Sequence, residues 1–209
     1  MLSKYTFLVG APGSRWSGVA QLLTDNFNYN KSDEMEHRQY VHGKFTGHKG
    51  SYFGPLMELG QDFHRLEYSY FDKLRFQATC DSAFADPFLP QTKMIKCHQF
   101  AYGLDWLKEN VPYSNILLVR RDTDLAFDWW KEAGGWNITY PNYQWYVDDE
   151  HMRHYIDTEI RLADVFVKKY QQWEYLTEDW ITEHFGSHSI EVPLNKYDDT
   201  QVCLITTDF

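Results

Sequence analysis

Tyr5-Thr6-Phe7-Leu8-Val9-Gly10-Ala11-Pro12-Gly13-Ser14-Arg15-Trp16-Ser17-Gly18 is the stretch on which the fold turns. Its first five residues are β-formers, continuously apolar after Thr6, and read as a strand buried in a parallel sheet. Gly10, Pro12 and Gly13 break that strand. Val19, Ala20, Leu22 and Leu23 then recur at helical spacing, so a helix is expected to start near Trp16 or Ser17. A tight loop between strand and helix aims backbone N–H groups at one spot. The first N–H groups of the helix have no internal partners, and the helix dipole favours an anion there. Ser14 and Ser17 add hydroxyls, and Arg15 adds a charged fork. The segment Gly10–Ser17 is therefore expected to hold a phosphate or sulfate group. An ordinary strand-to-helix turn, with glycines for geometry alone, accounts for the same residues. The usual nucleotide loop ends in Gly-Lys-Ser/Thr, whereas Arg15-Trp16-Ser17 stands here, which argues against ATP hydrolysis with the usual lysine and magnesium.

Outward from this loop, strands and helices alternate. Thr92–Cys97 reads as a second strand and Asn115–Val119 as a third, with a short helix over Leu104–Asn110 between them. Asp122 or Thr123 can cap the next helix, through Phe127, Trp130 and Lys131, and Gly134-Gly135 ends it. Trp136–Trp145 is an aromatic loop. Asp149 to about Gln172 is a long helix with Ile156, Ile160, Ala163 and Val167 on one face. Thr177 can cap a last helix through Phe185, closed by Gly186, and Val202–Thr206 is a candidate terminal strand. Between the first and second strands the pattern fades over residues 27–54, a loop-rich excursion. Leu56, Leu59, Phe63, Leu66, Tyr70 and Leu74 then trace an amphipathic helix. The alternation argues for one domain over residues 1–209, an α/β sandwich around a largely parallel central sheet.

Composition narrows the function. The 209 residues include 20 Lys and Arg against 30 Asp and Glu, a formal charge of −10, which disfavours a protein that coats nucleic acid. A small anion held by a local cluster of donors remains compatible with it. Aromatics make up 18% of the chain, enough to fill a core or to line a pocket for a flat ligand. Cys80, Cys97 and Cys203 form no CxxC pair and suggest neither a disulfide framework nor a zinc knuckle. His37, His42, His48 and His64 match no ligand spacing, so no metal is expected. The apolar run at Tyr5–Val9 is too short for a signal peptide or a membrane span, and a cytoplasmic protein is the expectation.

Three short segments together resemble the sulfotransferases that use 3′-phosphoadenosine 5′-phosphosulfate (PAPS). Their first loop typically reads Pro-Lys/Arg-Ser-Gly-Thr-Thr/Ser; Pro12, Ser14 and Ser17 match it, while Gly13 replaces the basic residue, Arg15 the glycine and Trp16 a threonine. Ile95-Lys96-Cys97-His98 is similar to the family's Ile/Val-Lys-Thr-His at a strand end. Leu118-Val119-Arg120-Arg121-Asp122-Thr123-Asp124 resembles its strand followed by Arg and, four residues on, Asp. The family's serine eight residues after that Arg is Asp128 here. Trp173-Glu174-Tyr175-Leu176 echoes a Tyr-Glu-Asp-Leu segment, and the family's glycine-rich nucleotide segment near the C-terminus is not visible.

The resemblance implies a three-layer α/β/α fold like that of the P-loop nucleoside triphosphate hydrolases. It implies transfer of a sulfuryl group from PAPS to a hydroxyl or amine on a small molecule, glycan or peptide, without metal. It further implies that Gly13, Ser14, Arg15, Trp16, Ser17 and Gly18 hold the phosphosulfate, with Arg15 standing in for the displaced basic residue. Arg120 and the Asp128 position belong to the 3′-phosphate site, with Arg121 as a substitute donor. Lys96 assists the sulfuryl group and His98 is the base. Imidazole titrates near neutrality and can take a hydroxyl proton, so the last role has its own physical logic. A satisfied structural histidine at a strand end is the competing account. A phosphoryl transferase such as a nucleotide kinase, and a non-catalytic nucleotide-binding module, are the alternative functions on this fold.

Overall fold

The computed structural model describes residues 3–34, 73–138, 147–186 and 196–207, and the backbone at 39–40 and 48–49. The expected aromatic loop lies mostly outside the described residues, as does the helix from Leu56 except at its end. Leu74, at that end, lies in a helix over Lys73–Ser82 (α2).

The first strand, β1 (Tyr5–Val9), is buried at every position and lies at the centre of a parallel trio. β4 (Lys93–Lys96) flanks it on one side, with Tyr5 opposite Lys93 and Leu8 opposite Lys96. β5 (Ser114–Arg120) flanks it on the other, with Val9 opposite Leu118. The sheet continues with β7 (Gln201–Thr207) and β6 (Glu174–Tyr175), in the order β4-β1-β5-β7-β6. β7 runs antiparallel to β5, and β6 antiparallel to β7. The sheet is therefore mixed: β4, β1, β5 and β6 run one way, as the largely parallel expectation has it, and only β7 is reversed. An apolar run buried in a sheet has the same composition whichever way it points, so the direction of β7 left no mark. Inside the excursion, β2 (Gln39–Tyr40) and β3 (His48–Lys49) form a separate antiparallel pair.

Helix α1 (Trp16–Asn26) packs across β4, β1 and β5, burying Val19, Ala20 and Leu23. On one face of β1, Phe7 meets Phe76 of α2 at 5.9 Å and Phe100 at 5.8 Å between ring centroids. Phe100 belongs to a 3-10 turn, His98–Gly103, that leads into α3 (Leu104–Asn110). On the opposite face, the Thr6 hydroxyl lies 3.3 Å from that of Tyr29, just beyond α1. This α/β arrangement is compatible with a three-layer sandwich.

The later helices carry conventional caps. Asp122 accepts from the amides of Asp124 and Leu125 at the start of α4 (Thr123–Glu132). Asp148 accepts from His151 N–H at α5 (Asp149–Tyr170), and Thr177 from Trp180 N–H at α6 (Glu178–Phe185). α5 also has Asp149 and Glu150 in its first turn and Lys168 and Lys169 in its last, complementing its dipole.

A polar knot ties down the edge of the sheet away from the loop. The Asp81 carboxylate accepts from the Tyr5 hydroxyl at 2.8 Å, from Lys93 at 2.7 Å and from Lys4 at 3.2 Å. Burial raises the Asp81 pKa, but these donors outweigh it and hold the carboxyl below its ordinary range. Asp81→Ala leaves the Lys93 ammonium buried without its carboxylate, at an expected cost of about 2–4 kcal/mol. The folded pKa of Asp81 is depressed, so its contribution is fully present above the unfolded value, about 4. It is lost as pH falls through the folded value. Urea unfolding of wild type and Asp81→Ala should therefore converge as pH drops below about 4 and differ by a constant amount above about 5.

Candidate anion site at the end of β1

Parallel alignment of β4, β1 and β5 brings three segments to one edge of the sheet. The loop Gly10–Arg15 leaves β1, Cys97 and His98 follow β4, and Arg120-Arg121-Asp122 ends β5. The chain leaves β1 toward β4 and leaves β5 toward β7, so the strand order diverges between β1 and β5. Ligands of open α/β sheets sit at such points, outside the carboxyl ends of the strands. Cys97 N–H donates to Leu8 C=O at 3.2 Å and fixes the β4 exit against the loop. Gly10 is wedged beneath the same loop: a Cβ there would lie 2.7 Å from Ser14 Oγ and 2.8 Å from Val119 O.

Helix α1 differs from α4, α5 and α6 at its start. Its N-cap residue is Arg15, in the left-handed region at φ 64°, with no side-chain cap and no acidic residue in the first turn. Neither the N-cap side chain nor the first turn supplies an anion to the positive end of the dipole. Ser14 is fully buried, and its Oγ has no hydrogen-bond partner among the described residues. The same holds for Nε and Nη1 of Arg15, whose guanidinium lies over the Trp129 ring, 4.8 Å from its centroid. Burial lowers the Arg15 pKa, and the nearby Arg121 lowers it further, against a weaker pull from Asp199. Desolvated donors without acceptors are costly in a folded protein, and these two residues directly precede the first turn of α1. Ser17 and Gly18 lie in the first turn, where Gly18 admits Tyr197: a Cβ at 18 would lie 2.7 Å from the Tyr197 hydroxyl.

Gly13 is held by geometry. Its φ is +79°, and a Cβ there would lie 1.8 Å from the carbonyl oxygen of Ala126 in α4. No side chain fits, so the cation of this loop sits at Arg15.

His98 lies beside the loop, its ring 6.2 Å from that of Trp16 in an edge contact. Its Nδ1 is 2.8 Å from Glu159 Oε1, and the side chains are only 4% and 1% exposed. Sequence reasoning passed over Glu159. Its signal was a carboxylate on the buried stripe of α5, three residues after Ile156 and four before Ala163. Lys96 is buried at the end of β4, and burial pushes its ammonium down to about 8 against the opposing pull of Asp33 and Glu34. Burial likewise raises the Cys97 thiol to about 12, leaving it protonated and unreactive at neutral pH.

The two arginines ending β5 part company. Arg121 turns toward the loop, binding the Asp199 carboxylate through Nε at 2.8 Å and through Nη2, and Leu125 C=O through Nη1 at 3.2 Å. Arg120 is caged elsewhere. Its Nε donates to Gln201 Oε1 at 2.7 Å, its Nη1 pairs with Asp164, and its guanidinium stacks on Trp173 at 4.6 Å. Asp128 is exposed on α4. Ser14 and Arg15 thus lead into the start of α1, Arg121 acts on Arg15 from the end of β5, His98 lies against Trp16, and Arg120 is held in a separate network.

Among the described residues no helix is long and apolar enough to cross a membrane, and no group of three or more His, Cys, Asp or Glu could hold a metal. His37, His42 and His64 lie outside the described residues, and His48 is described by its backbone alone. No family model, no curated protein and no solved structure matches the chain.

Proposed function

We propose that the chain binds a nucleotide-borne phosphosulfate at Ser14–Gly18 and transfers its sulfuryl group, as a PAPS-dependent sulfotransferase of P-loop-like fold. The observation that carries this reading is the pairing of unsatisfied buried donors, Ser14 Oγ and the Arg15 guanidinium, with the uncapped start of α1. In the reaction an acceptor hydroxyl oxygen attacks sulfur and gives its proton to Nε2 of His98. The S–O bond to the 5′-phosphate breaks, and its electron pair leaves on the phosphate oxygen. The products are a sulfate ester and 3′-phosphoadenosine 5′-phosphate. Ser14, Arg15 and the α1 amides stabilise the charge that builds on the leaving phosphate, and Lys96 supports the sulfuryl oxygens. The balance needs no other reactant.

Gly13, which admits no side chain and so leaves the loop without the family's basic residue, favours a second reading, a nucleotide-binding module without transferase activity. Calorimetric titration with 3′-phosphoadenosine 5′-phosphate, and with ATP with and without magnesium, separates the possibilities. The expected result is metal-independent binding of the former, weakened about 10- to 100-fold by Arg15→Ala, the loss of one or two charge-assisted hydrogen bonds. Arg15→Ala should leave the melting temperature unchanged or raise it, because it removes a desolvated cation beside Arg121. Affinity for neither nucleotide would overturn both readings. Binding without turnover of PAPS over a panel of hydroxyl and amine acceptors would favour the module.

A further inference from the structure

We infer that Glu159 is a positioning residue that fixes His98 as the Nδ1–H tautomer and so presents Nε2 as the proton-accepting nitrogen. The inference deepens the sulfotransferase reading and rests on it for its catalytic consequence, but the geometry behind it is independent of any nucleotide. A carboxylate can only accept hydrogen bonds, so the 2.8 Å contact between Glu159 Oε1 and His98 Nδ1 requires the proton on Nδ1. Both groups are almost wholly buried, so water does not compete for the contact. Among the described residues His98 is the only hydrogen-bond partner of Glu159, whose Oε2 has none. The pair is thereby obligatory for the carboxylate.

The two partners are fixed on separate rigid elements. Glu159 lies mid-way along the 22-residue helix α5, while His98 opens the 3-10 turn after β4. The turn and α5 pack together along their length, and Phe100 in that turn is locked against Phe7 of β1. The Trp16 ring contacts the imidazole edge-on from the first turn of α1, the turn that forms the anion site. A ring held by Glu159 through Nδ1 therefore has its orientation set relative to the phosphate-binding helix. In a base of this kind the wrong tautomer puts a proton where the acceptor's proton must go, and the defect appears in kcat rather than in nucleotide binding.

The test is nitrogen NMR of the 15N-histidine-labelled full chain at a pH where the ring is neutral, without nucleotide. In wild type the His98 resonances should report a protonated Nδ1 and a bare Nε2. In Glu159→Leu, close in volume and unable to accept, the preference for Nδ1–H should disappear. Should Glu159→Leu not fold, Glu159→Gln serves. Its amide can present either oxygen or N–H, and the Nδ1–H fraction should fall. A wild-type ring protonated on Nε2 with Nδ1 bare, or a Nδ1–H preference unchanged in the variant, overturns the inference. In turnover of PAPS the variant should lose about a hundredfold or more in kcat, with KM for PAPS within about twofold. Failure of nucleotide binding in a protein whose His98 is the Nδ1–H tautomer would sink the sulfotransferase reading and leave the pair intact. Turnover with a Nε2–H ring would do the reverse.

Discussion

Gly13→Lys, which would rebuild the basic residue of the sulfotransferase loop, is expected to destabilise the protein severely and to add nothing to anion binding. The Cβ alone is enough to decide this. It would lie 1.8 Å from the Ala126 carbonyl oxygen, 2.7 Å from that carbonyl carbon and 3.1 Å from Trp130 Cβ. Two of these three atoms are helical backbone, which has little freedom to move, and Trp130 is itself buried in a cluster with Phe127, Ile138 and Met152. The left-handed φ of +79° adds strain of about 1 kcal/mol for any L side chain. Overpacking of a close-packed contact adds about 1–3 kcal/mol. Gly13→Ala should therefore cost about 2–4 kcal/mol, a large share of a typical domain's net stability of about 5–15 kcal/mol. Gly13→Lys should cost at least as much. The measurement is the urea midpoint of Gly13→Ala against wild type. A midpoint unchanged by the methyl group would mean that α4 yields easily and that the loop is not fixed by this contact. The expected result also explains the sequence. With α4 against the loop at 13, a cation in this loop must come from another position, and Arg15 is the residue that carries one.

Much of this architecture was legible because it rests on local chemistry. The caps at Asp122 and Thr177 announce themselves, since a short acceptor side chain must precede the orphan amides of a helix. The termination at Gly186 follows from its φ of +95°. The apolar stripe of α5 at Ile156, Ile160, Ala163 and Val167 is buried as its spacing predicts. The unread features depend on contacts distant in sequence. The approach of α4 to Gly13 spans more than a hundred residues, and a glycine looks the same whether it serves a turn or a close contact. The parting of Arg120 and Arg121 follows from strand alternation, but its direction depends on Gln201 and Asp199, which the antiparallel β7 and the turn before it bring alongside. Glu159 stood on the apolar stripe of α5 as a visible anomaly. Only the fold shows that its partner is His98.

Replacing His98 by leucine should produce a large loss of stability, because it strands the Glu159 carboxylate. The side chain of Glu159 is 1% exposed, and its Oε2 already lacks a partner among the described residues. Removing one member of a buried hydrogen-bonded pair costs about 3–5 kcal/mol, most of it the desolvation of the charge left behind. Glu159→Leu should cost much less, since a neutral imidazole tolerates burial better than a carboxylate does. The double variant His98→Leu/Glu159→Leu should recover about 2–3 kcal/mol relative to the sum of the singles, because it leaves no buried charge unpaired. Denaturant unfolding of the four proteins of this cycle measures that coupling directly. Additive single-variant effects would mean that the two side chains are neighbours without energetic dependence. The cycle also separates stability from chemistry. The double variant should fold and bind 3′-phosphoadenosine 5′-phosphate through Ser14, Arg15 and α1, yet lose about 100-fold or more in sulfuryl transfer, the usual contribution of a positioned general base. A stable, nucleotide-competent double variant with undiminished transfer would remove His98 from the chemistry and assign the pair to the core alone.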